Sequence, residues 1–216
     1  MRHADLVFAT EEYVAAQMGT DAAGHDHWHA RRVRDLALRL ARAEGADLET
    51  VEIAALLHDI GDEKVSGDPL GPGKAAQTFL ESLSVDHDTI THICAIVDAV
   101  SFHGSGVADP PTDLEGLCVR DADRLDAMGA IGIARAFAYG GHLGRPIYDP
   151  DQAAVEANSL AAYRAGGRST INHFDEKLLR LAARMGTDSG RALAVERQKF
   201  MLDFLERFAA EWRGER

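Results

Sequence analysis

The chain has 216 residues, of which 46% are hydrophobic and 27% charged, a composition typical of one folded domain with an ample core. The formal net charge is -12, which argues against a broad duplex nucleic-acid interface, because phosphate backbones require a basic face. No apolar stretch has the length of a membrane span, and the N-terminus lacks the apolar core of a signal peptide, so we expect a cytoplasmic protein without a membrane partner.

Apolar residues recur at helical spacing along most of the chain. Helical stripes are predicted at residues 33–41, 51–58, 90–100, 114–125, 174–185 and 201–212. The first two are expected to end at Gly45 and Gly61. Three Gly/Pro-rich segments, at 65–73, 104–113 and 139–151, are predicted to be connecting loops. The predicted fold class is therefore all-α, a bundle of helices joined by Gly/Pro-rich loops.

Three side chains form a candidate metal centre. His29 shares the inward face of a helix that is expected to begin near Asp26, a favourable N-cap. His58 lies on the inward face of the second stripe, and Asp59 follows it in the last turn before Gly61. Two imidazoles and a carboxylate are suitable ligands for a divalent first-row metal, so a further carboxylate is sought elsewhere in the chain.

The fourth ligand is expected within residues 119–137, which we interpret as one apolar helix. Three aspartates, Asp121, Asp123 and Asp126, lie among apolar residues there. Helical register with the stripe at 114–125 favours Asp121. The other two remain candidates on spacing alone.

In combination, these residues resemble a known signature. His29, the pair His58-Asp59 and "DADRLDA" (121–127) resemble the H…HD…D signature of the HD-domain metal-dependent phosphohydrolases. "NHFDEKLLRL" (172–181) and "ERQKFMLDFL" (196–205) are similar to a compact bacterial branch of nucleotide-hydrolysing HD proteins. The family pattern of a small residue, an Asp and a basic residue points to Asp123 as the fourth ligand.

The resemblance also implies an architecture and a cofactor. It implies a single HD domain over residues 1–216, with a signature core at about 24–140 and C-terminal helices at 152–213 packing on it. One divalent metal ion is expected, Mn²⁺ first, with Mg²⁺, Co²⁺, Fe²⁺ or Ni²⁺ as alternatives. The expected metal ligands are His29, His58, Asp59 and Asp123.

Further site residues follow from the same resemblance. Asp62, and after it Glu63, are expected to orient the water or the leaving group, since related hydrolases hold an acid behind the HD pair. The expected substrate-binding residues are Lys64, Arg124, His103 and Arg32. Dinuclear members use extra histidines between the HD pair and the last Asp, but His92 lies off the apolar stripe and is predicted to be exposed.

The predicted function is a divalent-metal-dependent phosphohydrolase that cleaves a phosphate ester or anhydride of a nucleotide or nucleotide-like small molecule by attack of an activated water. Its partner is a small phosphorylated substrate, with nucleoside triphosphates favoured. One alternative is a catalytically inert nucleotide-sensing domain, and another is a dinuclear-iron oxygenase on the same scaffold. The aromatic C-terminal stripe is interpreted as core packing, with a homodimer surface as the alternative. Cys94 and Cys118 are interpreted as small core residues in a reducing cytosol.

Overall fold

The structure is a computed structural model that describes residues 2–19, 26–61, 71–100, 108–153 and 169–216. Within these ranges it contains α-helices and no strand, which confirms the all-α prediction. The helices are α1 His3–Met18, α2 His27–Glu44, α3 Leu48–Leu57, α4 Pro72–Ser82, α5 His87–Val100, α6 Leu114–Asp126, α7 Gly129–His142, α8 Thr170–Glu176 and α9 Asp188–Trp212. None of these helices is long and apolar enough to cross a membrane.

The chain divides into two compact units. The first contains residues 1–102 and 109–123, and the second contains residues 103–108 and 124–216. The boundary falls within α6, between Asp123 and Arg124. A single domain over residues 1–216 stays a prediction.

The first unit is built around the packing of α2 on α3. The carboxylate of Asp26 accepts a hydrogen bond from the His29 N–H at 3.0 Å, as an N-cap does. Gly45 ends α2 in the left-handed conformation, with φ of 81°. Between these two signals the stripe residues Val33, Ala37 and Leu40 are fully buried. The sequence signals for this helix are therefore confirmed at both ends and along its face.

The second unit is held by aromatic contacts among α7, α8 and α9. Phe137, Phe174 and Phe204 pack with ring centroids 6.0 to 6.2 Å apart. Phe174 is fully buried, whereas Phe200 and Trp212 on α9 each remain 52% exposed. Part of the C-terminal aromatic stripe is thus core packing, as interpreted from the sequence. Cys118, in the first unit, is buried, and Cys94 is partly exposed.

The continuous helix predicted over residues 119–137 is wrong. α6 ends at Asp126 and α7 begins at Gly129, whose φ of +68° turns the chain. The stripe at 174–185 is likewise not one helix, because α8 ends at Glu176 and two 3₁₀ turns follow at Leu178–Arg180 and Ala182–Arg184.

Two described helices extend into segments that the sequence assigned to loops, of which residues 65–70 lie outside the described residues. α4 begins at Pro72, inside the segment assigned to the 65–73 loop, because proline is well suited to the first helical turn. α7 continues to His142, inside the segment assigned to the 139–151 loop.

Candidate metal centre

His29 lies at the start of α2, where the helix N-terminus meets the core. Asp26 accepts the hydrogen bond of its backbone N–H, which fixes the first turn of the helix and the direction of the side chain. Only 1% of the imidazole is exposed. A histidine buried to this extent needs a polar partner, because burying an unsatisfied ring nitrogen is costly.

His58 lies at the C-terminal end of α3, and its ring has a defined orientation. Its Nδ1 is 2.8 Å from the carbonyl oxygen of Ala55. A carbonyl can only accept, so Nδ1 donates and carries the hydrogen. In the neutral ring Nε2 therefore has its lone pair free to bind a metal, an arrangement that carbonyl partners commonly impose on metal-binding histidines. The imidazole of His58 is 1% exposed.

Two imidazoles and one carboxylate offer ligand atoms that all lie within 4.8 Å of one another, those of His29, His58 and Asp59. A second carboxylate, that of Asp123, lies beside the two imidazoles. The Nε2 atoms of His29 and His58 are 3.2 Å apart. Asp59 approaches them with one oxygen 3.2 Å from His29 Nε2 and the other 3.5 Å from His58 Nε2. Oδ1 of Asp123 lies 3.5 Å from His29 Nε2 and 3.8 Å from His58 Nε2. All four residues belong to the first compact unit.

This donor set fits a divalent first-row metal ion. Ligand atoms held about 2.1 Å from one ion lie about 3.0 to 3.4 Å apart in octahedral or tetrahedral arrangements. The separations of 3.2 to 3.8 Å are close to that range. Two neutral imidazoles and two carboxylates also carry a charge of about -2, which a dication balances.

The electrostatics of the cluster favour a proton where the metal would bind. Burial opposes protonation of His58, but the carboxylates of Asp59 and Asp123 and the Ala55 carbonyl outweigh burial and raise the pKa of His58 to about 9. Burial also opposes ionisation of Asp123, yet His58 and His29 hold the pKa of that carboxyl below its usual range. A metal ion entering the site must therefore displace a proton from His58.

The carboxylate beside the histidines is that of Asp123. Asp121, which helical register favoured, is fully buried on the apolar face of α6. The side chain of Asp123 is 30% exposed and is the one that approaches both Nε2 atoms. The geometry thus agrees with the family pattern rather than with the register argument.

Of the remaining expected site residues, the structure describes Arg32 and Arg124. Asp62, Glu63, Lys64 and His103 lie outside the described residues. Arg32 is a partly buried residue of α2. Arg124 belongs to the second unit, where it is 6% exposed and donates to the carbonyl oxygen of Arg184 at 2.5 Å.

Two other features of the first unit have no counterpart in the sequence predictions. A cavity of about 130 Å³ between α1, α2 and α3 is lined by residues that include Glu11, His27 and Arg31, and it is too small for a nucleotide, since ligand pockets span about 300 to 1,000 Å³. A second group of potential metal ligands consists of His92, Asp113 and Glu115. Sequence spacing does not connect these three residues, and the only available signal was that His92 lies off its apolar stripe.

The chain is similar to one family model and to several solved structures. A family model described as HD domain matches residues 28–128, which include all four clustered residues. A crystal structure from Lactobacillus plantarum is 42% identical, with a TM-score of 0.85 over 97% of this chain and 98% of that one. An HD-superfamily hydrolase from Bacillus thuringiensis is 37% identical, with a TM-score of 0.76 over 98% and 99%. Bacillus subtilis YpgQ, solved in complex with ADP, is 34% identical, with a TM-score of 0.75 over 95% and 97%.

Proposed function

Because the chain belongs to the HD-domain superfamily of metal-dependent phosphohydrolases, we propose that it cleaves a phosphate ester or anhydride of a nucleotide, with nucleoside triphosphates favoured. The observation that carries the proposal is the convergence of His29, His58, Asp59 and Asp123. The nucleotide is supported by the ADP bound to the related YpgQ. Two cysteines without a disulfide are consistent with a cytoplasmic enzyme.

The four proposed ligands divide into a buried pair and a more open pair. The imidazoles of His29 and His58 are each 1% exposed, whereas the side chains of Asp59 and Asp123 are 22% and 30% exposed. We therefore place the substrate on the side of the carboxylates. These four residues would hold the divalent ion, Mn²⁺ in our proposal, which would supply an activated water and polarise a phosphate oxygen.

The other residues are assigned from their positions in the sequence. Asp62 and Glu63 directly follow Gly61, and we propose that Asp62, or Glu63 after it, orients the attacking water. The cationic or imidazole side chains proposed to contact phosphate are Arg32, Lys64, His103 and Arg124.

The decisive experiment is a hydrolysis assay on metal-stripped protein with Mn²⁺ and a panel of nucleoside mono-, di- and triphosphates, with products identified as phosphate or pyrophosphate. His58→Ala and Asp59→Asn should abolish turnover and metal uptake together. His87→Ala, which removes an exposed histidine of α5, is the matched control and should keep both. Tight nucleotide binding without product in any metal would instead indicate a sensing domain, and two irons per chain would indicate an oxygenase.

The fourth ligand has its own test. Asp123→Asn should lower Mn²⁺ affinity at least tenfold, because it removes a charged ligand while it keeps the shape of the side chain. Asp121→Asn is the matched control in the same helix and should retain metal. The assignment is wrong if the two variants behave in the opposite way in equilibrium dialysis.

A further inference from the structure

A second cluster of metal-ligand side chains lies outside the candidate metal centre. His92 is on α5, Asp113 immediately precedes α6, and Glu115 is in the first turn of α6. Each residue offers one ligand atom, and these atoms all lie within 4.8 Å of one another. The group shares no residue with His29, His58 and Asp59, and all of it belongs to the first compact unit.

The carboxylates of this cluster are already oriented by backbone groups. Asp113 Oδ1 accepts from the Gly116 N–H at 2.9 Å, which leaves Oδ2 directed at His92 Nε2, 2.5 Å away. Glu115 Oε1 accepts from the Asp47 N–H at 2.9 Å. Hydrogen bonds of this kind fix ligand carboxylates in metal sites. An ion would replace the proton between His92 and Asp113, and their two ligand atoms would move apart from 2.5 Å to about 3.0 to 3.4 Å.

The cluster is also open to solvent and electrostatically suited to a cation. The side chains of His92 and Asp113 are 42% and 43% exposed, so an ion and its water molecules can reach them. A neutral imidazole and two carboxylates carry a charge of about -2, which a dication neutralises. The imidazole nitrogen selects against Ca²⁺ and Mg²⁺, which prefer oxygen ligands throughout.

We propose that His92, Asp113 and Glu115 form a second divalent-metal site of the zinc type, with three protein ligands and water in the fourth position. A bound ion ties α5 to the start of α6. Through the hydrogen bond between Glu115 and the Asp47 N–H, it also supports the residue that caps the start of α3, the helix that His58 directly follows. The site is independent of the proposed hydrolase activity.

The experiment is a count of bound zinc on the full chain by equilibrium dialysis and metal analysis. His92→Ala and Glu115→Gln should each bind one zinc ion fewer per chain than wild type, or bind it at least tenfold more weakly. Glu115→Gln keeps an oxygen acceptor for the Asp47 N–H, so it decides the question if His92→Ala does not fold. His87→Ala is the matched control and should bind as wild type does.

Variants of the candidate metal centre separate the two proposals. Asp59→Asn should lose the zinc ion of the candidate metal centre and keep the zinc ion at His92. The double variant Asp59→Asn/His92→Ala should bind neither ion. If His92→Ala and Glu115→Gln bind as much zinc as wild type, the second site does not exist and the His92–Asp113 contact is an ordinary surface ion pair. That result would leave the proposed hydrolase activity untouched.

Discussion

The metal-free protein should lose stability as the pH rises from 6.5 to 8.5. His58 is buried, which opposes its protonation, but Asp59, Asp123 and the Ala55 carbonyl raise its pKa to about 9 from the ordinary 6.5. The folded state therefore binds a proton that the unfolded state releases. The stabilisation is fully present below pH 6.5 and is lost as the pH rises through 9.

The magnitude follows from the two pKa values. A rise from 6.5 to about 9 corresponds to about 3 kcal/mol of unfolding free energy, at about 1.4 kcal/mol per pH unit. About 2 kcal/mol of it disappears between pH 6.5 and 8.5. Protein loaded with Mn²⁺ should not show this loss, because an imidazole nitrogen that binds a metal cannot take up a proton.

The assay is urea unfolding of chelator-treated protein at pH 6.5, 7.5 and 8.5. His58→Gln should remove most of the pH slope, and His87→Ala, in which an exposed histidine is lost, should keep it. A metal-free wild type whose stability is constant or rises over this range would refute the reasoning, since it would mean that no proton is held among the four ligands.

Three further predictions concern the rest of the chain. Burial and neighbouring cations lower the pKa of His173 to about 3. Below pH 6.5 the unfolded state therefore takes up a proton that the folded state does not, and the free energy of unfolding falls as the pH falls. His173→Gln should recover about 1 to 2 kcal/mol of unfolding free energy at pH 5, measured against wild type in urea. Gly132→Ala would place a Cβ 2.2 Å from the backbone carbonyl oxygen of Ala127 and should cost about 1 to 3 kcal/mol, whereas Gly141→Ala in the same helix, with nothing within 4 Å of the added Cβ, should cost nothing. Burial raises the pKa of Cys118 to about 12, so iodoacetamide at pH 8 should label it in urea and not in the native protein, as mass spectrometry would show.

Sequence reasoning succeeded where local signals agreed with one another. For α2, the Asp26 cap, the apolar stripe and the Gly45 stop all indicated the same helix, and the structure has it between those residues. The stripe over residues 119–137 lacked such agreement. Apolar periodicity persists across the break between α6 and α7, because both helices have buried faces. The break itself depends on the positive φ of Gly129, which periodicity does not report.

The candidate metal centre shows a related limit. His29, His58 and Asp59 could be predicted because each lies next to a helix end that the sequence marks, and helix ends near the core are where polar groups can converge. The second group, His92 with Asp113 and Glu115, could not be predicted. Its members come from α5, from the residue before α6 and from the first turn of α6, and no local pattern records that the fold brings these three side chains together.

Our proposal of Asp123 rather than Asp121 as the fourth ligand has a physical reason that register arguments omit. Register selects the most buried position of a helix, and Asp121 is indeed fully buried. A metal ligand in a hydrolase must also border the space that water and substrate enter, so it belongs at the rim of the buried face. Asp123, 30% exposed and still 3.5 Å from His29 Nε2, occupies that rim, as does Asp59 at 22%. For ligands on apolar helices, the better prediction is therefore the acidic residue at the edge of the stripe, one or two positions from its centre.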